Sequence, residues 1–304
     1  MKENLMIILG PTGIGKTSLS IEIAKKYNGE IIGADSMQIY KGFDIGTGKV
    51  TEEEMEGIPH HLIDFLDPKA EFSVEEFRTL ARKKISEINK EGKLPIMVGG
   101  TGLYINSIVY DFSMQKIEKD EEYRKYLDSY IDEHGLESLY AKMLELDPKL
   151  EDNIHPNNRH RIIRAMEILN SGEKKETEDF RRENTDYNLY MLGLNTDREV
   201  LYDRINRRVD MMMEEGFLDE VKSLYEKGID EHFQSMKAIG YREMLMYFEG
   251  EVDLEFAVDK MKQFSRNYAK RQLTWFRRDE RIRWFDPLNE DRKEIFEEIE
   301  RKFF

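Results

Sequence analysis

Short runs of consecutive apolar residues, each closed by glycine or aspartate, punctuate a chain whose other apolar positions recur at helical spacing. Residues 4–9 (NLMIIL) end at Gly10-Pro11, residues 30–34 (EIIGA) at Asp35, and residues 94–98 (LPIMV) at Gly99-Gly100. The first run feeds a helical pattern over 16–27, where Leu19, Ile21, Ile23 and Ala24 suit a packed helix. Ser73 and Glu76 make a capping-box pair that starts a helix running to about residue 91, and another helix begins near Gly102. Strands separated by helices predict an α/β fold with a parallel sheet flanked by helices.

From about 112 to 187 the pattern turns helical and charge-rich, and within it 173–186 (EKKETEDFRRENTD) holds one large apolar residue and reads as a mobile, solvated loop. Residues 189–194 (LYMLGL) then return as a strand. The block between is therefore expected to be an insertion: a core of 1–112 and 188–304, and an inserted helical domain at 113–187. Beyond it the sequence is helix-rich, with helices expected over 198–215, 217–226, 236–248 and 254–277 and a short strand at 283–285. No internal repeat is visible.

At 304 residues the chain is long enough for one sizeable core and a smaller satellite. No apolar stretch approaches the length of a bilayer span, and the run at 5–9 is too short for a signal-peptide core, so no membrane partner and a cytoplasmic location are expected. With no cysteine, disulfides, thiolate metal sites and thiol nucleophiles are excluded, and any metal must use oxygen or histidine ligands. The net charge of −15 argues against a polyanionic partner until its distribution is read. Between Arg266 and Arg283 stand seven Lys or Arg against two acids, a local +5 that leaves −20 elsewhere. Tyr268 and Trp275 interleave with these cations, and basic side chains among aromatics suit a phosphate backbone and unstacked bases. The plainer reading is a solvated basic helix face with Trp275 and Phe276 in the core.

Gly10-Pro11-Thr12-Gly13-Ile14-Gly15-Lys16-Thr17 matches G-x-x-x-x-G-K-[ST] between a strand and a helix, the context that a phosphate-binding P-loop requires. Its backbone amides form an anion nest, the helix N-terminus adds positive potential, Lys16 supplies a point charge and the Thr17 hydroxyl can hold Mg²⁺. ATP, GTP and a diphosphate leaving group look alike to such a nucleotide-binding loop. Asp35, at a strand end beside it, reads as a Mg²⁺ ligand, a general base, or a cap for the segment Ser36-Met37-Gln38-Ile39-Tyr40. Gly99-Gly100-Thr101-Gly102 ends the third strand in the same way, so its amides and the Thr101 hydroxyl face the same crevice. A small-molecule kinase remains a reading, with Asp35 on the metal and Arg159, Arg161 and Arg164 as a lid. Adjacent His60 and His61 point apart, so they read as hydrogen bonding or packing, and Met211-Met212-Met213 as core filling.

Together with Gly57-Ile58-Pro59-His60-His61-Leu62, Gly240-Tyr241-Arg242 and Asn267-Tyr268-Ala269-Lys270-Arg271-Gln272, the P-loop, Asp35–Tyr40 segment and Gly99–Tyr104 segment resemble the tRNA dimethylallyltransferases over nearly the whole chain. The resemblance implies a P-loop NTPase-like core and transfer of a dimethylallyl group from its diphosphate to N6 of the adenosine 3′ of the anticodon in tRNA. It implies Asp35 as the base that takes the N6 proton, Thr101 as the contact to the bridging oxygen of the diphosphate, and Mg²⁺ held by the diphosphate and Thr17. The target adenine would be flipped into a channel walled by Asp35, Ser36, Met37 and Gln38. Arg124, His160, Arg161, Arg164, Lys237, Arg242, Lys270, Arg271, Arg277 and Arg278 resemble the segments that hold the anticodon stem-loop, the inserted block and the basic helix closing on it from opposite sides. The cysteine–histidine finger of eukaryotic members is absent, so a bacterial-type enzyme is implied; separately, a monomer is expected. Two alternatives stay open: an isopentenyltransferase on free adenine nucleotides and the small-molecule kinase. A small substrate has no use for the basic, aromatic helix, and a non-enzymatic RNA-binding module would leave Asp35, Thr101 and the P-loop idle.

Overall fold

The computed structural model describes residues 2–111, 120–171 and 182–304. Two compact units emerge, one of Met1–Asp111 with Glu183–Phe304 and one of Phe112–Arg182. In the first, the elements run β1 (Glu3–Leu9), α1 (Lys16–Lys26), β2 (Gly29–Ala34), α2 (Glu52–Met55), β3 (His60–His61), α3 (Val74–Lys90), β4 (Leu94–Gly99) and α4 (Gly102–Val109). The second unit contributes α5 (Glu121–His134), α6 (Leu136–Leu146) and α7 (Arg159–Asn170). The chain then returns with β5 (Tyr187–Leu194), α8 (Arg198–Glu214), α9 (Phe217–Glu226), α10 (Tyr241–Phe248), α11 (Leu254–Phe276), β6 (Ile282–Phe285) and α12 (Arg292–Phe303).

The six strands form one parallel sheet in the order β3-β2-β4-β1-β5-β6. Side chains of a strand alternate between faces, and β1 shows why the sheet needs two helical layers: Leu5, Ile7 and Leu9 join the core with α3 and α4, while Met6 and Ile8 join the core with α1, α8 and α12. All five are fully buried. Ser73 and Glu76 form the reciprocal capping box expected at the start of α3. In the helical unit, Leu127, Ile131, Leu139, Met143 and Ile162 make a separate small core.

Three expectations need correction. Residues 236–248 are not one helix: a 3₁₀ turn at Ser235–Lys237 and α10 are separated by Gly240, whose φ of 96° is unavailable to a helix and whose N–H is taken by Glu243. The loop expected to be mobile through residue 186 falls at 172–181 outside the described residues, but its end is held. Asn184 N–H donates to the Val109 carbonyl at 3.0 Å, Tyr110 pairs with Glu183, and Asp186 forms an ion pair with Arg82. Met212 is core and Met213 packs against it, but Met211 is 55% exposed, because three consecutive helical residues cannot share one face. His60 and His61 do point apart, on β3: His60 Nδ1 bonds the Ile58 carbonyl and His61 Nε2 bonds Glu30. Among the described residues no helix is long and apolar enough to cross a membrane.

Candidate active site

Strand order decides which loops meet. β2, β4 and β1 are neighbours and parallel, so Asp35, Thr101 and the P-loop all leave the same edge of the sheet. The approach is close: Thr101 N–H donates to the Ala34 carbonyl at 3.2 Å, and a Cβ at Gly100 would lie 2.0 Å from Gln272 and 3.3 Å from the Gly10 carbonyl. Gly15 starts α1 at φ 103°, a conformation for which glycine is suited, so that the amides before the helix can face inward.

Within the P-loop, Lys16 Nζ donates to the carbonyls of Gly10 (3.0 Å) and Pro11 (2.8 Å). Burial pushes the Lys16 ammonium down to about 8, with Asp35 opposing that shift and Arg208 adding to it. Arg208, on α8, belongs to none of the sequence motifs. The side chain is half-buried, its buried Nε has no hydrogen-bond partner, and its Nη2 donates to the Gly48 carbonyl at 3.4 Å. Burial lowers its pKa, against the pull of Asp35. One turn earlier Arg204 Nε donates to the Gly13 carbonyl at 2.9 Å and fixes the loop from behind. The one signal in the sequence is the spacing: 204 and 208 share a helix face with the buried Leu201 and Ile205. Two half-buried cations facing one crevice, both feeling the charge of Asp35, suit a multiply charged anion.

Asp35 Oδ1 accepts the Met37 N–H at 2.9 Å, and residues 36–40 turn without forming a helix. The capping reading is thereby corrected to a local aspartate turn. Thr101 stands at the start of α4 but does not cap it; its Oγ1 accepts the Ser36 N–H at 3.0 Å and lies 3.3 Å from Ser36 Oγ. Ser36, Met37 and Gln38 are half-buried, and Gln38 Nε2 bonds the carbonyls of Thr47 (3.1 Å) and Gly48 (3.3 Å). From α11, the Tyr268 hydroxyl approaches Thr101 and Gln272, and burial followed by the Asp35 charge pushes it up to about 12. Gln272 donates to the Gly100 carbonyl at 2.9 Å, and Trp275 packs over Gly102, where a Cβ would lie 2.4 Å from its ring.

Helix α11 thus has two faces with different duties. Tyr268 and Trp275 line the side that meets the loop 100–102, and the Arg271 guanidinium lies 5.7 Å from the Tyr268 ring centre, so cation and aromatic are interleaved there. Lys270, Arg271, Arg277 and Arg278 are exposed. The local +5 overstates that surface, because Arg281 is held by Asp279 and Arg283 by Glu290, Glu294 and Glu298. Lys237 and Arg242 are exposed on the 3₁₀ turn and the first turn of α10. In the helical unit, His160 and Arg161 are exposed at the start of α7. Arg124 and Arg164 both bind the buried Glu167, at 2.5 Å and 3.2 Å, and together hold its carboxyl below the usual range against the cost of burial. Arg159 pairs with Asp128.

The fit of a divalent cation can be judged from the donors. Among the described residues no group of three or more His, Asp or Glu could hold a metal unaided. Thr17, exposed at the start of α1, offers one hard oxygen, so a cation there would need the oxygens of a bound anion as its other ligands.

Residues 38–279 match the family model described as IPP transferase. The chain is 52% identical over 294 residues to the tRNA dimethylallyltransferase of Halalkalibacterium halodurans, covering 96% of this chain and 93% of that protein. It is 50% identical to the enzyme of the same name from Bacillus subtilis, covering 98% and 97%. Among solved structures it is similar to a full-length tRNA isopentenylpyrophosphate transferase from Bacillus halodurans, with TM-score 0.75, 50% identity and 99% and 97% of the two chains covered. It is also similar to a eukaryotic dimethylallyltransferase captured acting on tRNA, with TM-score 0.80, 31% identity, and 98% of this chain and 77% of that chain covered.

Proposed function

The chain belongs to the IPP transferase family of tRNA-modifying prenyltransferases acting on adenosine, and from that premise we propose how its own residues divide the work. Dimethylallyl diphosphate lies with its diphosphate in the P-loop of Gly10 to Thr17, paired with Lys16 and Arg208. Thr17 would hold Mg²⁺ at this site, and the cation would supply further charge neutralisation of the departing anion. The observation that carries this reading is the convergence of the P-loop, Asp35 and Thr101 at three neighbouring strand ends, with Arg208 brought in from α8 beside Lys16 and Asp35.

The adenine N6 attacks the allylic carbon, a nitrogen–carbon bond forms as the carbon–oxygen bond to diphosphate breaks, and Asp35 takes the proton that N6 loses. Positive charge grows on the allyl group and negative charge on the leaving diphosphate, so preorganised cations and loop amides favour the transition state over the ground state. Thr101, oriented by the Ser36 amide, contacts the bridging oxygen. Asp35, Ser36, Met37 and Gln38 wall the channel that receives the flipped base. Exposed Lys237, Arg242, Lys270, Arg271, Arg277 and Arg278, with His160 and Arg161, contact the anticodon stem-loop; Arg124 and Arg164 order the helical unit through Glu167 and reach tRNA from there.

The direct test is mass spectrometry of tRNA nucleosides after incubation of the protein with tRNA, dimethylallyl diphosphate and Mg²⁺. Adenosine heavier by one dimethylallyl group at the position 3′ of the anticodon is expected, with no hydrolysis of ATP. Steady ATP turnover with no prenylated nucleoside would favour a kinase, and prenylation of free adenine nucleotides but not of tRNA would favour the small-substrate alternative.

A further inference from the structure

Resting on that reading, we propose that Glu220, on α9 and outside the crevice, is a positioning residue for the transfer. Its carboxylate gathers the loop at 44–48, and that loop supports both Gln38 and Arg208. Three consecutive backbone amides converge on Glu220: Oε2 accepts from Asp44 (3.0 Å) and Ile45 (2.7 Å), and Oε1 accepts from Gly46 (3.2 Å). Oε1 also accepts the hydroxyl of Tyr241 at 2.6 Å. Four donors on two oxygens require a group that accepts on both, which a carboxylate does and a carboxamide does not.

The loop has no slack on either side of this anchor. A Cβ at Gly46 would lie 2.2 Å from Phe217 and 2.7 Å from Tyr241, two rings that meet edge to face at 5.0 Å. A Cβ at Gly48, which sits at φ 57°, would lie 1.5 Å from the Arg208 guanidinium. Between these limits the carbonyls of Thr47 and Gly48 accept from Gln38, and the Gly48 carbonyl also accepts from Arg208. A shift of the amides at Glu220 is therefore passed, two residues on, to one wall of the base channel and one cation of the diphosphate site. The same contacts give Gly240-Tyr241-Arg242 a role: Glu243 secures the turn at Gly240, and the fully buried Tyr241 is aimed at Glu220.

Glu220→Gln in the full chain keeps the size of the side chain but sets a donor against donors. The expected result is a fall in kcat for tRNA prenylation of about tenfold or more at saturating substrates, with the Kd for an anticodon stem-loop changed by less than about twofold, because exposed cations elsewhere hold it. In a Gln38→Ala background the same substitution is expected to cost clearly less than in the wild type, since one of the two contacts through which the loop acts is already gone and the other, to Arg208, remains. A folded Glu220→Gln protein with unchanged kcat overturns the proposal, and so does an equal loss in both backgrounds. If Glu220→Gln does not fold, Tyr241→Phe removes one donor and keeps the carboxylate with its three amides. It is then expected to lower kcat by about threefold, and an unchanged kcat overturns the proposal. A wild-type protein that prenylates nothing is a different failure, that of the reading in the previous subsection.

Discussion

Asp35 has one oxygen occupied by the Met37 amide, and its charge is felt at Lys16, Arg208 and Tyr268, so it stands beside both cations of the crevice. Asp35→Asn keeps the turn acceptor but cannot take a proton. We expect single-turnover transfer to fall by roughly 10²–10⁴ with dimethylallyl diphosphate affinity largely kept, and rates equal to wild type would make Asp35 a turn residue only. Lys16 yields a pH prediction of definite sign. In the ligand-free protein its ammonium is charged below about 8 and neutral above. Because the diphosphate binds the charged form, affinity should decline as pH rises through that value, by at most about tenfold per unit. Calorimetric titration across pH 7 to 10 should show this decline in the wild type and a flatter profile in Lys16→Met, whose side chain has no charge to lose.

At the scale of elements, α11 joins the crevice to an exposed basic surface. One side closes the crevice through Tyr268, Gln272 and Trp275, with the Arg271 guanidinium over the Tyr268 ring, while Lys270, and Arg277 and Arg278 just past the helix end, are exposed. Salt bridges to Asp279 and to the glutamates of α12 remove Arg281 and Arg283 from that exposed surface. Replacing Lys270 and Arg271 together with alanine should weaken tRNA binding and flatten the slope of log K against log salt by up to about two phosphate contacts. Affinity for dimethylallyl diphosphate should not change. An unaltered salt slope would mean that these side chains are a solvated face and that tRNA is held elsewhere.

For the molecule as a whole, the chain leaves the sheet unit at 111 and re-enters it at 183, and the two crossing points are tied together. Asn184 bonds the carbonyls of Val109 and Ile108, Tyr110 pairs with Glu183, and the Tyr110 hydroxyl donates to Asp279 at 2.8 Å. All six strands and both layers of helices belong to this unit, so its core is complete without the helical one. Replacing residues 112–182 by a short Gly/Ser linker should therefore leave a cooperatively folding protein that binds dimethylallyl diphosphate but loses most of its tRNA affinity. Thermal unfolding and filter binding would check both halves. Failure to fold would show that the sheet unit depends on the insertion for stability.

Local physics wrote much of this into the sequence. Apolar runs long enough for a strand, the Ser73–Glu76 capping box and the P-loop between a strand and a helix are each settled within about ten residues, so β1, β2, β4, α1 and α3 were legible, as was the placement of the P-loop and Asp35 at neighbouring strand ends. What escaped were features that depend on partners far along the chain. β3 is two residues long and exists through pairing with β2, and Gly240 breaks a pattern that periodicity alone would continue. Arg208 looks like any surface arginine on a charged helix until the loop at 44–48 and Asp35 are folded against it. Arg281 and Arg283 count as free cations until Asp279 and α12 are in place. Charge, spacing and hydropathy are properties of a segment, whereas burial and the identity of a counter-charge are decided by whichever segment the topology lays beside it.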